Sequence, residues 1–349
     1  MQVQRQTPSS VGIIFDAGLG NRIDEALAMA LLYGLDGKRE VRVVSLSVSK
    51  PNLKSAALCE AIAHFYGGAS SGAFGAVGRT LPVGLAEEGQ MPEDTPMLTA
   101  PLARQGEDGK PLYSHGIEKL TDTAEVRALI RNALAAQPAQ SCVVVLTGPA
   151  NNLAWLLDLH GIKDLIEHKV RFLSVAGGAY PDGAPQFNIR TDIPAAKKLF
   201  AEWPTPIIAA GEEIGASLLF PAASIEKDFE WSPAHPVVDA YRAYNPMPYD
   251  APTLAMAAVL HAVRPQGDYF KLSEPGTIRV LDDGRTQFIP SPEGKHRYLI
   301  LDPMQREPVL KTYIELVSSK PVPRQPRRRP PQQQQQQQQQ APAKPPSGK

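Results

Sequence analysis

Three carboxylates stand within one short stretch of the chain, Asp16, Asp24 and Glu25, in the run VGIIFDAGLGNRIDEALAMALL. Asp16 closes an apolar segment, a glycine-rich turn follows, and Asp24-Glu25 opens a helical pattern. Carboxylates converging from one loop can grip a hard cation or the hydroxyls of a sugar. The same residues also suit a plainer use, with Asp24 as a helix N-cap and Glu25 as a favourable first-turn charge. The GLG element lacks the full G-x-G-x-x-G of a dinucleotide loop, so it is weak evidence for a nucleotide. A second turn of interest is CVVVLTGPANNLAWLL, where Thr147-Gly148-Pro149 bends the chain and leaves the Thr147 carbonyl free for a cation. A third, VAGGAYPDGAPQFNIRTDIPAA, has two glycines that allow close backbone approach, and Gln186 and Asn188 present amides beside them. Finally Tyr249-Asp250 precedes a helical run, and Asp250 is either a ligand or another N-cap.

These turns need elements that hold them together. Apolar, β-rich runs occupy residues 11–15, 41–48, 142–146, 170–175 and 206–210. Helical patterns lie between them, at 24–33, 52–66, 123–136, 151–157 and 192–203. Near-continuous apolar strands alternating with helices predict an α/β fold, an open, mostly parallel, doubly wound sheet with helices on both faces. Ligands of such sheets bind outside the carboxyl ends of the strands, which is where the three turns fall. After Gly211 the rhythm changes to helices at 233–244 and 251–263. A β-rich stretch at 276–301 follows, with the turn signal Asp283-Gly284, and then a last helix at 304–317. The expected division is a disordered N-terminus at 1–10, one domain at 11–320, and a disordered tail at 321–349. That tail is rich in proline and arginine and carries nine consecutive glutamines at 332–340.

Bulk composition narrows the partners. Lysine plus arginine and aspartate plus glutamate number 36 each, so no global field steers nucleic acid or an anionic membrane to the chain. A small neutral substrate suits that balance. Cys59 and Cys142 sit in apolar segments and imply no disulfide framework. MQVQRQTPSS does not read as a signal peptide, and no apolar run reaches the roughly 18 residues of a membrane span. The expectation is a cytoplasmic globular protein.

Taken in order and spacing, the landmarks resemble the inosine-uridine-preferring nucleoside hydrolases. The likeness covers roughly residues 11–317: the acidic first turn with DEALA, TGPANNLA, VAGGAY, QFNIRTDIPAA, and Tyr249-Asp250 before a helix. It implies an open α/β fold, hydrolysis of the N-glycosidic bond of ribonucleosides, one bound calcium ion, and possible homo-oligomerisation. By that resemblance Asp16 matches the first, largely structural aspartate of the metal turn. Asp24 would bind a ribose hydroxyl, and Glu25, the Thr147 carbonyl and Asp250, with Asp16 as a further metal candidate, would hold the metal. Asn188 matches a ribose-holding asparagine, and Gln186 stands where a ribose-binding glutamate is usual. His115-Gly116 resembles a pair near the base pocket, and Tyr249 stands where some members keep a histidine that helps the base depart. Asp24, Asp250, Tyr249 and His115 are thus the catalytic candidates.

The chemistry explains such a set. Breaking the bond builds positive charge on the ribose, as in glycoside hydrolysis. A cation orients the sugar and acidifies water, and a carboxylate takes the proton. Against the family's D-x-D-x-x-x-D-D, this chain has Gly18 or Gly20 where the second aspartate belongs, the two registers arising from a turn lengthened within GLGNRI. Glu25 replaces an aspartate and Gln186 a carboxylate. Ser49-Lys50-Pro51 replaces a glycine-asparagine step beside the ribose, which makes Lys50 a substrate-binding candidate that would repel calcium or take over part of its charge. The resemblance with these departures implies a hydrolase of reduced activity with weakly bound calcium, or a relative that binds a ribosyl ligand without turnover.

Overall fold

The computed structural model describes residues 10–67 and 81–322. The disordered ends expected at 1–10 and 321–349 fall, apart from Ser10, Pro321 and Val322, outside the described residues. Among the described residues eleven strands form one sheet: β1 Val11–Ala17, β2 Val41–Val48, β3 Val83–Leu85, β4 Ala124–Glu125, β5 Cys142–Leu146, β6 Val170–Ala176, β7 Ile207–Ala210, β8 Lys271–Leu272, β9 Gly276–Val280, β10 Thr286–Pro290 and β11 His296–Ile300. Its order is β10-β9-β11-β7-β6-β5-β1-β2-β3-β4, with β8 off this path against β11. From β4 through β11 every neighbouring pair is parallel, and the antiparallel pairs are confined to β8, β9 and β10. The open α/β sheet with a C-terminal β-rich appendage and closing helix is the architecture that the alternating pattern predicts.

Side-chain alternation explains the two layers. Ile13, Phe15, Val143 and Val145 face the helices Ile23–Gly37, Leu254–Val263 and Arg306–Val317. Ile14, Val144 and Leu146 face Val126–Ala135, Ile162–Lys169 and Ile193–Glu202. β1 and β5 are buried along their whole length, which is why their sequences are apolar without interruption. Among the described residues, no helix is long and apolar enough to cross a membrane.

Two short strands depart from expectation. β3 has only three residues, and β4 occupies the start of the run expected to be helical from residue 123. Glu125 ends that extended piece and caps the following helix, its carboxylate accepting from the Arg127 and Ala128 amides. The helix therefore begins at Val126.

The topology makes one switch point. β1 pairs with β2 on one side and β5 on the other, so the turns after β1 and β5 diverge around a common crevice. They are packed backbone to backbone. A Cβ on Gly148 would stand 2.2 Å from the Gly18 nitrogen and 2.3 Å from Ser49 Oγ, so only glycine fits at 148.

Candidate functional site

The turn after β1 is anchored by Asp16, which is fully buried. Its Oδ1 accepts from Ser47 Oγ at 2.6 Å and Asn152 Nδ2 at 2.8 Å, while Oδ2 has no partner. Burial raises its pKa from 3.8 to about 6, against the two hydrogen bonds that favour the charge. A raised carboxyl stabilises the fold fully below its ordinary pKa, and that contribution is lost as pH rises through about 6. Asp16→Asn keeps the accepting oxygen and removes the charge. The stability of Asp16→Asn relative to the parent is therefore expected to rise by roughly 2–3 kcal/mol between about pH 4 and pH 7. Thermal melts of both proteins across that range check it, and parallel pH profiles would refute it.

Asp24 and Glu25 open the helix Ile23–Gly37 and are almost wholly buried. Asp24 accepts from Arg22 Nε at 3.1 Å through Oδ1, and from the Ala255 amide at 3.0 Å through Oδ2. It thus caps Leu254–Val263 rather than its own helix, whose N-cap is Arg22 without a side-chain bond. Arg22 also reaches Glu212, just beyond β7, at 3.3 Å. Glu25 is different: neither of its carboxylate oxygens accepts a hydrogen bond of normal geometry. Burial, with the Asp24 charge, holds its carboxyl well above the usual range, opposed by Arg22 and Lys50. Its Oε1 lies 2.7 Å from where a Cβ on Gly18 would stand. The longer Glu25 side chain therefore delivers its carboxylate into the volume that a side chain at 18 would occupy.

Lys50 follows β2 and is only 1% exposed. Its ammonium donates to Asn21 Oδ1 at 3.0 Å and to the Met91 carbonyl. Burial lowers its pKa, and the Glu93, Glu25 and Asp94 charges resist that shift through space. Asn188 is buried between the other two turns, its amide donating at 2.8 Å to the Thr147 and Ala176 carbonyls and its Oδ1 without a partner. Gln186 spends its Oε1 on capping the helix Phe187–Thr191, while Nε2 has no partner. Thr147 Oγ1 is likewise buried and unpartnered. The switch point thus gathers Asp16, Asp24, Glu25, Lys50, Thr147, Gln186 and Asn188 on adjoining turns.

Asp250 and Tyr249 are engaged by other partners, and His115 has a buried ring nitrogen without one. Asp250 is exposed, and its Oδ1 accepts from the Ala222 amide at 2.8 Å, at the start of the helix Ala222–Lys227. Tyr249 stacks on Tyr241, with centroids 4.4 Å apart, and each hydroxyl donates to the other's carbonyl at 2.6 Å. His115 lies in a segment tied to the helix Leu53–Gly67, where Glu60 accepts from the Gly116 amide at 2.6 Å and His64 Nδ1 meets the Ser114 carbonyl at 2.9 Å. Arg22, Glu212 and Asn152 join the site without any local sign in the sequence. The Arg22–Glu212 and Asn152–Asp16 pairs are remote in the chain.

The calcium that the resemblance implies does not fit this donor set. Among the described residues no three His, Cys, Asp or Glu side chains gather to hold a metal. Asp16 keeps only Oδ2 free, Asp250 Oδ1 already accepts a hydrogen bond, position 18 has no side chain, and the Thr147 carbonyl takes the Asn188 amide. Glu25 alone offers two free carboxylate oxygens, and it shares its surroundings with the Lys50 charge. A calcium ion needs 6–8 oxygens, several of them charged.

A doubly wound sheet with buried polar atoms at its switch point is the arrangement in which open α/β proteins place their ligand sites. The sequence pattern of the inosine-uridine preferring nucleoside hydrolases matches residues 13–307, and the chain belongs to that family. The fold superposes on the purine-preferring ribonucleoside hydrolase of Gardnerella vaginalis at 18% identity and a TM-score of 0.64, over 88% of this chain and 98% of that one. It also superposes on the inosine-uridine preferring nucleoside hydrolase of Bacillus anthracis at 14% identity and a TM-score of 0.60, over 88% and 99%. A plant nucleoside hydrolase is similar at 20% identity, TM-score 0.60, over 88% and 99%. No curated protein matches the chain by sequence.

Proposed function

We propose that the chain holds the ribosyl group of a ribonucleoside at the β1/β5 switch point and hydrolyses its N-glycosidic bond slowly, with Glu25 accepting the proton of the attacking water. The observation that carries this reading is the Glu25 carboxylate: buried, with both oxygens free, and seated where a side chain at 18 would be. Asp24 and Asn188 Oδ1 are the acceptors for ribosyl hydroxyls. The negative charge of Asp24 also favours the cationic sugar of the transition state. The burial that makes Glu25 a strong base once ionised also leaves less of it ionised at neutral pH, which slows the reaction. Departure of the base is poorly assisted, because the Tyr249 hydroxyl is spent on Tyr241. Good leaving groups should therefore react faster than ordinary nucleosides.

The test is ribose release from a panel of purine and pyrimidine ribonucleosides and an activated aryl riboside, with and without calcium. Slow release, fastest for the aryl riboside and little changed by calcium, is the expected result. Millimolar calcium should raise the melting temperature only slightly. The bare Gly18 and the Asp250 side chain bonded to Ala222 favour a second reading, a ribosyl-binding protein without turnover. Thermal stabilisation by nucleosides with no ribose released would select it.

A further inference from the structure

We propose that Lys50 is the resident cation of this site, and that a ribosyl ligand is held between its ammonium and the Glu25 carboxylate without a metal ion. The inference rests on the ribosyl reading above and adds what holds the sugar. An ammonium taken out of water costs several kcal/mol unless it is well paired. Lysines that serve only packing run their stems along apolar surface and leave the charge in solvent. Lys50 does neither: it is 1% exposed, its hydrogen-bond partners, Asn21 and the Met91 carbonyl, are neutral, and the Glu93, Glu25 and Asp94 charges act on it only through space. Two of its three N–H donors are used by those partners, and the third is available to a ligand.

Glu25 mirrors it. The carboxylate is 1% exposed, neither oxygen accepts a hydrogen bond of normal geometry, and it feels the Lys50 charge without forming an ion pair with it. Both groups stand on fixed backbone, Lys50 directly after β2 and Glu25 in the first turn of Ile23–Gly37. The turns that carry them adjoin, since a Cβ on Gly18 would meet Glu25 Oε1 at 2.7 Å, a Cβ on Gly148 would meet Ser49 Oγ at 2.3 Å, and Lys50 itself bonds Asn21 of the first turn. Opposite charges on adjoining turns that do not pair with each other suit a group able to accept from one and donate to the other. A hydroxyl does both, and a vicinal diol does so twice. The ammonium then supplies, from the chain itself, positive charge at the sugar. A divalent ion placed beside it would be repelled, consistent with the donor set that does not fit calcium.

Binding of uridine, inosine and their 2′-deoxy counterparts to the full-length protein, by calorimetry and thermal shift, tests this in chelator and in calcium. The expected result is binding of the ribonucleosides that is equal in both media and weaker for the deoxy compounds. Lys50→Met should lower affinity on the order of tenfold to a hundredfold, as for loss of a charged hydrogen bond, and Lys50→Arg should keep part of it. Circular dichroism confirms the fold of each variant, with Lys50→Gln as the replacement if Lys50→Met does not fold. Binding that requires calcium, or that survives both Lys50→Met and Lys50→Gln unchanged, overturns the inference while leaving the ribosyl reading in place. No binding of any riboside by the parent protein would instead sink the ribosyl reading itself.

Discussion

Glu25→Gln is expected to reduce ribose release by about 10²–10⁴-fold in kcat/KM, the usual contribution of a general base, with the fold retained. The exchange is isosteric and removes a buried charge that no hydrogen bond satisfies, so the native state loses little. Most of the loss should fall on kcat, because a glutamine can still meet a ligand hydroxyl but cannot take a proton from water. The pH profile sharpens the test. Burial holds the Glu25 carboxyl well above the ordinary range, so its ionised form grows as pH rises above the usual carboxylate range. Parental kcat/KM should climb accordingly, and the residual activity of Glu25→Gln should lose that rise. Activity within a few-fold of the parent would place the base elsewhere, with Asp24 the adjacent carboxylate.

The strands around the site were legible because burial on both faces leaves an uninterrupted apolar signature, as in β1 and β5. Their turns were legible because glycine and carboxylates gather where a strand ends in a close approach. β3 and β4 were not, since three and two residues carry no period to read. The capping alternatives for Asp24 and Asp250 show a different limit. Both aspartates do cap helices, but each caps one remote in sequence: Asp24 serves Ala255, 231 residues away, and Asp250 serves Ala222, 28 residues before it. Spacing rules for N-caps see only the helix that follows. Arg22 bridging Asp24 and Glu212 is hidden for the same reason, the second partner being 190 residues distant. The resemblance put a lysine in the ribosyl neighbourhood, yet its burial and its bond to the Met91 carbonyl come from residues 41 positions away and leave no local sign.

The exchange between positions 18 and 25 makes the strongest energetic prediction. A Cβ on Gly18 would lie 2.7 Å from Glu25 Oε1, 3.0 Å from the Gly148 Cα and 3.1 Å from the Pro149 Cδ. Gly18→Asp alone therefore collides with Glu25 and sets a second buried carboxylate against it. A loss of about 2–4 kcal/mol is expected, from overpacking and like charge together. Glu25→Asp alone withdraws one methylene and should cost about 1 kcal/mol. The double variant moves the carboxylate at 25 out of the space that the new side chain needs. Its destabilisation should be smaller than the sum of the single changes by about 1–3 kcal/mol, the coupling expected of residues in contact. The double variant also restores aspartates at both positions of the family turn, so it should show a larger calcium-dependent rise in melting temperature than the slight one expected of the parent. Gly20→Asp offers no such relief, because Gly20 has φ +108° and its Cβ would meet the Leu98 side chain at 2.7 Å. Denaturant unfolding of the parent, both single variants and the double variant measures the coupling. Simple additivity would show that Glu25 does not occupy the place of a side chain at 18.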